Sequence, residues 1–362
     1  WHSSFGRISV EERTYIRQES GRFCRPFQSV AGITCRGCSL RLQRAITDFG
    51  ADISFARVLE KMREHYGIVV SASTVATITT RHAHAVTPAD TMPTSRPTSR
   101  ALTLIAEVDG SMIPLVDTGT VVGAGVDAAT GANPGHSGRI DLRKTRQLSW
   151  KEAKLSLVKR SDEIAPVFAV TLADVTTAGS LLKQLAEATG LNVKSRVHAL
   201  GDGAPWIAEQ VERQFGAQGH YLVDFYHLCD YLAAASKVCD KEHPEAWMTL
   251  QKERMKTGQS SEVMAALRPF LEADELPSEA SPVRQCYRYL AHRPGQFNYR
   301  EALAENLPIG SGEVESAHRY VIQKRLKLPG AWWKKNNAQA MLNLRVLRAN
   351  QQWENYWHKN AA

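Results

Sequence analysis

The sequence predicts an α/β chain in which a sheet domain lies between two helical blocks. Three observations carry this. Two apolar runs, Leu102–Val108 and Arg196–Leu200, read as buried strands and lead into acid–glycine pairs, Asp109-Gly110 and Asp202-Gly203. Amphipathic helical stretches alternate with these strands, the pattern of an α/β sheet. On either side the apolar residues recur at spacings of three and four.

The first block covers residues 1–86. Phe55, Val58, Leu59, Met62 and Tyr66 share one helical face, and Gly67 stops that helix. Ser71 or Ser73 can cap a second helix holding Val75 and Ile78. Helix, glycine turn and second helix fit a helix-turn-helix, and the pattern alone favours a plain αα-hairpin. Residues 87–100 read as a linker, with Pro88, Pro93 and Pro97 among small polar residues. In the sheet block, Met112–Val116 continues or pairs with the first strand, Thr120–Val126 is a strand candidate, and 152–158 alternates like a half-exposed strand. Helices are expected over Ala178–Thr189 and over 205–215, where Pro205 suits a first turn. Tyr221–Val223 is another short strand, and from Leu228 onward the chain reads as mostly helical.

Of 362 residues, 43% are hydrophobic and 23% charged, enough to build a core. Lys and Arg number 45 against 37 acids, a net charge of +8 that suits a polyanionic partner. No apolar run reaches the roughly 20 residues of a membrane-spanning helix, so no membrane role is expected. Six cysteines and no signal-peptide pattern point to a reducing cytosol with free thiols. Cys24, Cys35 and Cys38 make an incomplete zinc pattern, with His82 or His84 as the conceivable fourth ligand. The chain begins at Trp1 rather than Met, so residues upstream are expected.

Asp109 and Asp202 each close an apolar run, and acids at strand ends project where open α/β sheets bind ligands. Two such carboxylates suit Mg²⁺, a hard cation that favours oxygen donors. Either Asp-Gly taken alone also fits a turn. Downstream, Ile309-Gly310-Ser311-Gly312-Glu313-Val314-Glu315 opens a long helix. Glu313 and Glu315 are two apart and point to different faces, so at most one faces a site with the aspartates.

Five ordered strings extend the argument: EVDGSMIPL, WKEAK, LGDGAPWI, DFYHLCDYL and IGSGEVESAHRYV. Together they resemble the DDE transposases of bacterial insertion sequences, in particular the ISKra-type family, and more distantly the mutator-like transposases. The leader GCSLRLQRAITDFGADISFARVLEKMREHYGI is similar to that family as well, so the resemblance runs from about Cys24 to Trp357. It implies an RNase H-like core with a mixed five-stranded sheet over residues 101–239. An α-helical insertion over 240–305 and a C-terminal part over 306–362 follow.

The resemblance carries the catalytic, metal-binding acids onto Asp109, Asp202 and Glu315. Two Mg²⁺ ions, with Mn²⁺ as a substitute, would serve DNA cleavage at transposon ends and strand transfer into target DNA. Asp224 and His227 match an Asp-x-x-His signature and are expected beside the site, although Asp224 also fits a helix cap. DNA contacts are expected from Arg143 and Lys144, in a basic run with Arg139, Arg146, Lys151 and Lys154, and from Arg319, Lys324, Arg325 and Lys327. Trp332 and Trp333 fit either base stacking or a core. The partners implied are terminal inverted repeats, target DNA and further copies in a dimer or larger synaptic assembly, in a bacterial cytoplasm at the nucleoid. Rival readings are a catalytically defective or domesticated relative that only binds DNA, and an RNase H-like nuclease that cuts without joining.

Overall fold

The computed structural model describes residues 1–31, 33, 35–94, 97–118 and 146–361. Its centre is a mixed sheet of five strands: β1 (Thr103–Thr118), β2 (Arg146–Arg160), β3 (Val167–Thr171), β4 (Arg196–Gly201) and β5 (Gly219–Val223). The order across the sheet is β3-β2-β1-β4-β5. β3, β2 and β1 pair antiparallel with one another, whereas β4 runs parallel to β1 and β5 parallel to β4. The expected pieces at 102–109 and 112–116 are one 16-residue strand. Pro114 is tolerated within it because β4 has already ended there. That edge of β1 meets only Trp333, whose N–H donates to Pro114 O and whose carbonyl accepts from Val116 N. The Thr120–Val126 strand candidate lies outside the described residues.

Before the sheet come two small ribbons, two short helical turns at Pro26–Val30 and Pro88–Thr91, and three longer helices, α1 (Leu40–Asp52), α2 (Phe55–Tyr66) and α3 (Ala72–Ala85). Ser54 and Ser71 cap the second and third, and Gly67 ends α2 in the left-handed region. The α2–α3 pair therefore forms where the periodicity predicts it. Val75, Ile78, Thr79, His82 and Ala83 bury one side of α3. The segment read as a linker contains a turn of helix, Pro88–Thr91, closed by a Thr87–Asp90 capping box. It is tied down as well, since Thr91 O accepts from Asn350 Nδ2.

Alternation along the strands divides the sheet into two faces. One face, with Leu104, Ala106, Val108, Val197 and Ala199, packs under α4 (Val175–Thr189) and α5 (Pro205–Phe215). The other bears Ile113, Leu115, Leu155 and Leu157 and is covered by the C-terminal segment. That segment comprises α11 (Gly312–Ala317), a six-residue π-helix at His318–Gln323, α12 (Lys335–Ala349) and α13 (Trp353–Ala361). The long helix expected from Ser311 onward is thus a short α-helix that widens into a π segment, a distortion frequent at functional sites.

An all-helical block separates β5 from α11. It consists of α6 (Phe225–Cys239), α7 (Pro244–Lys256), α8 (Ser260–Leu267), α9 (Pro282–Ala291) and α10 (Tyr299–Ala304), packed round Leu228, Leu232, Met255, Cys286 and Tyr299. Among the described residues no helix is long and apolar enough to cross a membrane.

Candidate active site

The strand register aligns three aspartates. In the β1–β4 pair Glu107 faces Leu200, and in the β4–β5 pair Gly201 faces Val223. Continuing both ladders past the end of β4 sets Asp109, Asp202 and Asp224 in one row across three neighbouring strands. Strands lie about 4.8 Å apart, so the row spans roughly 10 Å. The 93 positions between Asp109 and Asp202 equal the offset between Glu107 and Leu200. Each aspartate lies two residues beyond Glu107, Leu200 or Leu222, so alternation gives all three the face covered by the C-terminal segment.

Asp109 and Asp202 each fix one oxygen on a nearby amide: Gly110 N donates at 2.7 Å and Ala204 N at 2.8 Å. Burial pushes the Asp109 carboxyl up, but His318, the Gly110 amide and His227 outweigh it and hold it below the ordinary value. The Asp202 loop is held from the helical block. Tyr289 Oη donates to Asp202 O at 2.7 Å and Arg293 Nε donates to Gly203 O at 2.7 Å. Gly203 sits at φ +89°, and a Cβ there would lie 2.6 Å from Tyr289 Oη, so only glycine fits.

Asp224 has a different task. Its Oδ1 accepts from Tyr226 N (2.6 Å) and His227 N (3.2 Å), which caps α6. Its Oδ2 accepts from both the amide and the hydroxyl of Ser311, each at 2.5 Å. Four donors fill the four lone-pair positions of a carboxylate. Asp224 therefore ties the start of α6 to the start of α11, and the cap reading holds. Glycine is needed at 310 because a Cβ there would lie 2.7 Å from the Tyr226 ring.

Sequence reasoning missed two residues. Glu107, two positions before Asp109 and buried, accepts from Val314 N at 2.8 Å and so caps α11 from the sheet side. Burial pushes its carboxyl up to about 7, with Glu313 and Asp224 adding to the rise against the Val314 amide. Its signal was an acid inside an apolar run. His318, also buried, lies three positions after Glu315, and its Nε2 is 3.1 Å from Asp109 Oδ2.

Held by these two acids, α11 turns Glu313 and Glu315 to different sides. Glu313 pairs with Lys159 at 2.6 Å. Glu315 Oε1 faces His227 Nε2 at 3.8 Å, in a partly exposed position. Among the described residues, Asp224, His227 and Glu315 are the one set of three able to offer metal ligands within 4.8 Å of one another. The cysteines are free thiols. His82 is engaged by Tyr356 Oη and Gln43 Oε1, and His84 by Asn337, so neither completes a zinc site with Cys35 and Cys38.

The residues expected to contact DNA divide by depth. Arg319 is exposed, Lys327 is half-buried, and the exposed Lys324 pairs with Asp52 at 3.2 Å. Trp332 is exposed and lies edge-on to exposed Trp150, ring centroids 6.1 Å apart. Three expectations are corrected. Arg325 is buried, donates to Gly50 O and sits between the Phe55 and Trp333 rings, so it welds α1 and α2 to the C-terminal segment. Trp333 is buried and donates to Leu326 O. Lys154, read with the basic run, is buried against Glu152 and over Trp206. Arg143 and Lys144 lie outside the described residues.

Residues 185–359 match the sequence model of an uncharacterised protein family, UPF0236. Asp202, Asp224, His227, Glu315 and His318 fall inside that stretch, and Asp109 lies before it. Among curated relatives, a UPF0236 protein of Caldanaerobacter subterraneus subsp. tengcongensis is 22% identical over 155 residues, 43% of this chain and 31% of the relative. A second from the same organism is 24% identical over 156 residues, with the same shares covered. The match thus spans about a third of the length of those relatives. Over just under half its length, from within α4 to within α13, this chain is similar to the UPF0236 proteins.

Proposed function

We propose that the chain is a DDE-type transposase that cleaves DNA at transposon ends and joins the freed 3′ end to target DNA. The observation that carries this reading is the register that aligns Asp109, within β1, with Asp202, just past the end of β4, on the sheet face that the C-terminal segment covers; Glu315 lies on that segment and faces His227. The mixed five-stranded sheet with helices on both faces supports the RNase H-like core that the five motifs imply.

The donor set fits a hard divalent cation. Asp109, Asp202 and Glu315 would offer carboxylate oxygens to Mg²⁺ or Mn²⁺, and neighbouring amides already orient both aspartates. Bound there, the ions would supply activation of the attacking oxygen and charge stabilisation at the phosphate. The protein's own contribution is placement. Asp224 and Glu107 hold α11 by its first amides, and Tyr289 and Arg293 hold the Asp202 loop. Exposed Arg319, Lys324 and Trp332 are available to a DNA backbone or an unpaired base. The α2–α3 pair, with Ser71, Ser73 and Arg81 exposed on α3, is our candidate for reading the terminal repeats.

The test is cleavage and joining of labelled duplexes that carry the repeats flanking the coding sequence, with Mg²⁺ or Mn²⁺. End-specific cutting followed by joining is the expected result. Cutting without joining would favour an RNase H-like nuclease. Binding without metal-dependent cutting would favour a defective relative.

A further inference from the structure

We propose that His227 and Glu315 form a mixed nitrogen–oxygen site that selects a first-row transition-metal dication such as Mn²⁺ over Mg²⁺. This deepens the reading above by naming the metal class, and it rests on that reading only for the metal's use in DNA chemistry. His227 stands in the first turn of α6 and Glu315 on α11, 3.8 Å apart. Two donors each about 2.1 Å from one ion lie roughly 3–4 Å apart, so little movement would be needed to share one.

Asp224, the third member of the cluster, is already filled by four donors. It therefore positions the pair, because the same carboxylate holds the His227 amide on one oxygen and the Ser311 end of α11 on the other. Water would complete the coordination on the exposed side.

His318 stands at the other side of the row: it is 3% exposed, and its Nε2 pairs with Asp109 Oδ2 at 3.1 Å. The row is thus bordered by two imidazoles, His227 and His318. Mg²⁺ takes oxygen ligands almost alone, whereas imidazole favours transition metals. Carboxylates alone would accept either kind.

The experiment uses the untagged full chain without DNA. Bound Mn²⁺ is counted from the loss of the free-ion electron paramagnetic resonance signal, and its ligands are read by spin-echo modulation from nitrogen. The wild type should bind Mn²⁺ with an imidazole nitrogen signature and resist displacement by equimolar Mg²⁺. His227→Asn should lose that signature and bind Mn²⁺ at least about tenfold more weakly, as should Glu315→Gln. Unchanged thermal melting of the metal-free variants shows that they fold. Mn²⁺ bound without nitrogen modulation, or equally tightly by His227→Asn, overturns the proposal. Because no DNA is present, the result is separate from the joining assay: an all-oxygen transposase would fail here and pass there.

Discussion

Two regions of this molecule bury charged side chains, and they do so in opposite ways. In the middle of β1 and just past the ends of β4 and β5 the charges are carboxylates, and they face backbone amides: Asp109 on Gly110, Asp202 on Ala204, Asp224 on Ser311, Glu107 on Val314. In the seam between α1–α3 and the C-terminal helices the charges are guanidiniums, and they face carbonyls. Arg325 donates to Gly50 O, and Arg345 donates to Val321 O, Ala51 O and Tyr320 O as well as to Asp52. The seam is also balanced by ion pairing. Burial pushes the Asp52 carboxyl up, but Arg345, Arg348 and Lys324 outweigh it and hold it below the ordinary value. The sheet end has fewer cations, and Glu107 is raised to about 7. Charge that is satisfied from within serves cohesion. Charge held mainly by backbone amides stays free to meet a cation.

The seam should give the largest stability effect. Arg345→Ala removes a buried guanidinium and leaves Asp52 and three carbonyls short of a donor, at a cost of about 3–5 kcal/mol in chemical denaturation. Metal binding by the folded fraction should not change. A loss of only ~0.5 kcal/mol would mean that the seam is not where the N-terminal helices are held.

Adjacent tryptophans sharpen the same contrast. Trp333→Ala should cost about 3–5 kcal/mol, because the ring is buried against Arg325 and its N–H is used. Trp332→Ala should change stability by no more than about 0.5 kcal/mol. It should instead weaken binding of single-stranded DNA by about 1–3 kcal/mol if the exposed ring stacks on a base. Equal stability losses for the two would remove the distinction between core and surface drawn here.

A smaller effect is tied to pH. Burial, with Arg81 adding to it, pulls His82 down to about 4, and the ring joins α3 to Tyr356 and Gln43. The unfolded chain takes up this proton near pH 6.5 and the folded chain only near pH 4. Stability from His82 is therefore present above about 6.5 and is lost as pH falls toward 4. Between pH 7 and 5 the loss should be about 2 kcal/mol. His82→Gln should flatten that slope, and an unchanged slope would assign it to another group.

Much of the architecture was legible because local pattern and tertiary packing agree. The helix read at 205–215 forms over those residues, with Pro205 in its first turn. The strand read at 196–200 gains only Gly201. Joining 102–109 to 112–116 was not legible, because whether a proline interrupts a strand depends on whether that edge has a neighbour. Asp109, Asp202 and Glu315 could be named from their motifs, and the register row emerges only when β1 and β4 are seen to pair in parallel. Glu107 and His318 escaped because a single acid or histidine in an apolar stretch carries no sign of what it meets. Arg325 escaped for the converse reason: beside Lys324 and Lys327 it reads as one of a basic group, and depth is invisible in a run of like charges.

The most direct test of the central claim is a strand-joining assay that compares Asp109→Asn, Asp202→Asn and Glu315→Gln with Arg348→Ala, which alters the seam contacts to Asp48, Asp52 and Trp353. Each of the three carboxylate variants should lose joining by on the order of a thousandfold while folding normally, and the seam variant should still join. Joining that survives in Glu315→Gln, or in either aspartate variant, would contradict the assignment of Asp109, Asp202 and Glu315 as the reaction centre.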